Sequence, residues 1–174
     1  MPTTVAVSPR HLVLLPLPAS LGVPEALAAI GRLERAGALD VLGSVVVERR
    51  DDGTLAITPA SPGASSEVDV AAWRWLFDRV LDGGEGIGGV DQPESALGGS
   101  GLSESFVAEV RAALASARRS LALVVARLDA SAAVSALHDL PEARLVYGVL
   151  PRHVLERMLT RPPEEPPPAR PTEI

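Results

Sequence analysis

Residues 120–150 read SLALVVARLDASAAVSALHDLPEARLVYGVL. Ser120 to Leu128 is an apolar run of strand length, and Asp129 supplies a capping carboxylate for a helix reaching Leu140. Arg144 to Leu150 returns as a second strand, and Pro151, suited to a first helical turn, opens another helix. This stretch is therefore a strand-helix-strand unit followed by a helix.

The same unit occurs at the start of the chain. His11 to Leu17 is a short apolar strand closed by Pro16 and Pro18, and Ser20 to Ala36 is helical, with Ser20 in position to cap and Pro24 in the first turn. Val23, Leu27, Ile30 and Leu33 recur at helical spacing, and Gly37 ends the helix. Val41 to Arg49, the turn Asp51-Asp52-Gly53, and Thr54 to Thr58 read as a hairpin. Between the two units lie a helix from Glu67 to Leu81, a glycine-rich stretch from Gly83 to Gly101 expected to be a mobile loop, and a helix from Ser103 to Ala117. Two β-α-β units that can set their helices on one side of a shared sheet predict an α+β, ferredoxin-like sandwich. The expected order is β-α-β-β, then α-β-α-β-α. The domain spans 11–159 with an insertion at 60–102, and the proline-rich end, 161–174, is expected to be extended and disordered.

Glu25-Ala26-Leu27, Gly37 to Val47 with Asp52-Gly53, and Gly101-Leu102-Ser103-Glu104 leading into Ser120 to Val125 resemble a family of small uncharacterised bacterial proteins. In that family two β-α-β units flank a glycine-rich central segment. Some members are described as membrane-associated or stress-related, and no activity is established for the family as a whole. The resemblance implies the same fold here and a stress-related role. Two positions depart from the pattern: Gly43 stands where relatives often carry Asp, and Ala117-Arg118-Arg119 replaces a Pro-Gly turn. The centre of this chain also carries Glu85, Asp91 and Glu94, which are too polar for a bilayer, so no membrane insertion is expected.

Composition excludes much chemistry. The chain has no Cys and no Lys, which removes thiol nucleophiles, thiolate metal sites, Schiff-base chemistry and the phosphate-loop lysine. Net charge is −6, which gives no footprint for a phosphate backbone and argues against nucleic acid as a partner. Aromatic residues are only 3%, so the core must be built from Ala, Val and Leu, and each large ring becomes informative. The first ten residues lack a basic segment and a cleavage pattern, and the expected compartment is the cytoplasm.

Few residues suggest a site. Gly84, Gly86 and Gly89 fit G-x-G-x-x-G, but a helix precedes them and Pro93 follows, so the spacing reads as a loop rather than a dinucleotide cradle. His11, His138 and His153 are isolated, and no metal site or cofactor is expected. On the helix after Glu67, Trp73, Leu76, Phe77 and Val80 share one face, whereas Trp75 lies about 200° from Trp73. Trp75 is expected to share its side with Val68, Ala71 and Arg79 and either to lie under the glycine-rich loop or to form an interface. The preferred reading is a non-enzymatic interaction or assembly module forming homo-oligomers through its sheet or its Trp-bearing helix. The alternative is a small-molecule-sensing domain or a dimeric oxygenase-like enzyme, with Trp73, Trp75 and a histidine lining a pocket. PxxP spacing at Pro163 to Pro166 and Pro168 to Pro171 offers a further route to a protein partner.

Overall fold

The computed structural model describes residues 9–60, 68–81, 102–138, 140 and 144–159. The glycine-rich stretch and the proline-rich end, with the expectations placed on them, lie outside these. In chain order the elements are β1 (Arg10–Leu17), α1 (Val23–Arg35), β2 (Leu39–Arg49), β3 (Leu55–Pro59), α2 (Val70–Leu81), α3 (Glu104–Ser116), β4 (Arg119–Leu128), α4 (Ala130–Leu137), β5 (Val146–Leu150) and α5 (Arg152–Leu159). The five strands form one antiparallel sheet in the order β3-β2-β4-β1-β5, which makes the protein α+β. Because β1 and β2 both pair antiparallel with β4, they run parallel to each other with β4 between them. By the same logic β4 and β5 are parallel with β1 between them. Each strand-helix-strand unit is thus split by the first strand of the other.

Alternation along the central strands sends apolar side chains to both faces, and each face is covered by helices. Val13, Leu15 and Leu17 of β1 and Leu121, Leu123 and Val125 of β4 pack against Ala26, Ile30 and Leu33 of α1 and Ala133 and Leu137 of α4. Leu12, Leu14, Ala122 and Val124 face the other way. They meet Trp73, Phe77 and Val80 of α2, Phe106 and Val110 of α3, and Val154 and Met158 of α5. The helical segment between β3 and β4 therefore supplies most of the helical cover on that face. Along β2, Leu39 and Val41 belong to the α1/α4 side but Val45 and Val47 to the other. The change of face coincides with register shifts between Asp40 and Val41 and between Val41 and Gly43, a bulge that places Gly43 at the switch.

Element ends follow local chemistry, with two corrections to the expected bounds. Helix α1 is capped by Gly22 rather than Ser20, and the Glu25 carboxylate accepts the Gly22 backbone N–H. Leu21, buried ahead of the helix, takes the chain past Ser20 before the helix can begin. Gly37 ends α1 with φ 76°, a left-handed conformation that suits glycine. The β2-β3 hairpin turns at Gly53, φ 85°, where Asp52 accepts the Thr54 backbone N–H at 2.9 Å. Asp129 caps α4 as expected, accepting the Ala132 N–H at 3.0 Å, but α4 stops at Leu137 rather than Leu140. Arg118, just past the end of α3, reaches the hairpin at Glu48 (3.8 Å) and Asp51 (3.6 Å) through exposed ion pairs of small energetic value.

Candidate functional site

The two indoles of α2 separate as the helical geometry requires. Trp73 is fully buried and stacks on Phe77 with ring centroids 6.1 Å apart, so one turn of helix stands two rings side by side in the core. Its indole N–H has no hydrogen-bond partner among the described residues. Leu76 and Val80 complete the buried face, and the Arg111 guanidinium of α3 donates to the Val80 carbonyl at 2.6 Å, stopping the C-terminus of α2 with a cation where the helix dipole favours one.

Trp75 lies on the other side of α2. It is half-buried and packs on the edge of the core, with the Arg79 guanidinium 5.5 Å and the Arg157 guanidinium 4.8 Å from its ring centroid. Arg79 comes from the next turn of α2, the i+4 neighbour on the same face. Arg157 comes from α5, which packs beside α2. Of the residues grouped with Trp75 from the sequence, Ala71 and Arg79 are exposed, but Val68 is not: it is 3% exposed and belongs to the core. The reason is the start of α2. Asp69 accepts the Ala71 N–H at 3.1 Å and so holds the N-terminal cap, which leaves Val68 ahead of the helix and off its face.

The three histidines lie on, or at the end of, three different elements. His11 alternates with Leu12 on β1 and so points to the α1/α4 side of the sheet, opposite to α2. His138 and His153 are exposed, at the end of α4 and on α5. Burial lowers the His11 pKa, a shift only partly offset by the Pro9 carbonyl. Among the described residues no group of three His, Asp or Glu side chains could hold a metal ion, and no helix is long and apolar enough to cross a membrane.

A second feature comes from the sheet rather than from α2. β5 is an edge strand, paired with β1 alone. Its Val146 and Leu150 are buried against α3 and α5, while Tyr147 and Val149, on the α1/α4 side, are 44% and 55% exposed. Between them Gly148 lies directly under the Phe106 ring of α3. Sequence reading recognises β5 but not its exposure, since nothing local distinguishes an edge strand from a central one. Comparison with protein-family models, with curated proteins and with solved structures finds no match to this chain.

Proposed function

We propose that this protein is a non-enzymatic assembly module that forms homo-oligomers by pairing the β5 edges of two copies. We also read its sheet as a ferredoxin-like core, β5-β1-β4-β2, carrying β3, α2 and α3 as an insertion. The two mutually split strand-helix-strand units support that reading, and with it the resemblance to the bacterial family of paired β-α-β units.

The observation that carries the assembly reading is the chemistry of β5. Edge strands are ordinarily protected by charge, proline, a bulge or a covering element. Val146–Leu150 holds no charge and no proline, pairs with β1 without a bulge, and exposes Tyr147 and Val149. The opposite edge, β3, exposes no large apolar side chain and ends on Pro59. Antiparallel pairing of β5 with a second copy, centred on Gly148, sets Tyr147 opposite the second copy's Val149 and Val149 opposite its Tyr147. Such a pairing is self-complementary, as a two-fold interface must be, and joins four exposed apolar side chains into one stripe.

Sedimentation equilibrium of the full chain and of Val149→Lys tests this. The wild type should be dimeric or larger and the variant monomeric with an unchanged far-ultraviolet circular dichroism spectrum, since Val149 is 55% exposed within one chain. A wild type that stays monomeric at high concentration, or a variant that associates equally well, overturns the proposal.

A further inference from the structure

The pair of arginines on Trp75 has no counterpart in the assembly reading and points to a ligand of its own. The chain has 22 acidic residues against 16 basic ones, so carboxylates are in excess. Even so, neither Arg79 nor Arg157 forms an ion pair or a hydrogen bond to a side chain among the described residues. Glu156, next to Arg157 in sequence, is taken by Arg152 at 2.8 Å, and Asp78 precedes Arg79 by one residue and so lies about 100° around the helix.

Each guanidinium lies within cation-π distance of the indole ring, and neither donates to a side chain among the described residues. Those groups are the bidentate donors that carboxylates and phosphates accept from arginine. Through a single ring centroid the two guanidinium carbons are no more than about 10 Å apart. Two cations within that separation repel each other, and an anion within reach of both relieves the repulsion. The half-buried ring gives both exposed guanidinium groups an apolar partner that limits solvation on one side. The overall charge of −6 disfavours an extended polyanion at long range and leaves compact anions as the fitting class.

We infer that Trp75, Arg79 and Arg157 form a binding site for a compact oxyanion, a phosphate or a small dicarboxylate. This site is separate from β5 and does not depend on self-association.

The test is a titration of the full chain with inorganic phosphate and, separately, with succinate, at constant ionic strength set by sodium chloride. The indole N–H resonances are followed by nuclear magnetic resonance, with that of Trp75 assigned by its loss in Trp75→Phe. A saturable shift of the Trp75 signal with either anion, with the buried Trp73 signal still, is the expected result, and the anion that saturates at lower concentration identifies the class. Arg157→Ala and Arg79→Ala, both at exposed positions, should each weaken the binding tenfold or more. A response no different from chloride, or the same binding curve in the Arg79→Ala/Arg157→Ala double variant, overturns the inference.

Discussion

The ring of Phe106 packs so closely on the backbone of Gly148 that a Cβ built on Gly148 would meet two ring atoms at 2.7 Å. Helix α3 is thus seated on the edge strand through the absence of a side chain. Gly148→Ala should destabilise the protein by about 1–3 kcal/mol, the usual range for overpacking a filled core. In a double-mutant cycle read by urea unfolding, Phe106→Leu combined with Gly148→Ala should cost less than the sum of the single changes. Additive losses would mean that the strand, not the ring, resents the methyl group.

The two tryptophans should differ sharply in what they contribute. Trp73→Ala removes a fully buried ring and should cost about 3–5 kcal/mol. Trp75→Ala removes a half-buried one together with two cation-π contacts, and about 1–2 kcal/mol is expected. Equal losses in chemical denaturation would contradict the separation of the two faces of α2. That separation is legible in the sequence, because Trp73, Leu76, Phe77 and Val80 recur at helical spacing. The partner of Trp75 is not: Arg157 comes from another helix, and no local pattern brings α5 beside α2. Val68 is misassigned by periodicity for the opposite reason, since a purely periodic reading ignores the cap at Asp69.

Ser120 is fully buried and its hydroxyl has no partner among the described residues. A buried donor left unpaired costs its desolvation, so Ser120→Ala should be neutral or stabilising by up to about 1 kcal/mol. A clear loss of stability would indicate that the hydroxyl is engaged after all. No sequence pattern announces this residue, because a serine at the start of an apolar strand reads as a boundary.

Capping makes a graded prediction. Asp129 accepts the Ala132 N–H at 3.0 Å and brings a negative charge to the N-terminus of α4, whereas Ser103 accepts the Phe106 N–H at 3.3 Å and is neutral. Asp129→Ala should therefore cost about 1 kcal/mol and Ser103→Ala less, measured as shifts in urea midpoint at constant slope. Asp129 is legible as a cap; Gly22 is not, because Ser20 carries the better side chain and only the burial of Leu21 moves the helix start past it.

His11 makes stability depend on pH. Burial lowers its folded-state pKa below the ordinary 6.5, so the unfolded chain binds more protons in the window between the two values. The contribution of His11 is therefore fully present above 6.5 and is lost as pH falls through that value toward the lowered one. His11→Gln should flatten the dependence of the urea midpoint on pH between about 5 and about 7.5. An unchanged profile would assign the slope to other groups.

Strand existence is largely legible in the sequence: the runs at His11, Val41, Thr54, Ser120 and Arg144 all fall on strands, because short apolar and β-branched segments bounded by turns have few alternatives. Strand order is not, since pairing joins residues far apart along the chain. The face switch at Gly43 is also hidden, because a bulge is recognisable only against its partner strand.

The mutual splitting of the two strand-helix-strand units sets a timetable for synthesis. β1 pairs only with β4 and β5, and β2 meets β1 only through β4. Until β4 has left the ribosome, the β2-β3 hairpin is the one pairing of this sheet that the nascent chain can make. Through the translation of α2 and α3, β1 must wait unpaired and β2 with one edge bare, a period in which both are open to other chains. The helices that later cover one face of the sheet are thus made before the strand that joins the sheet together.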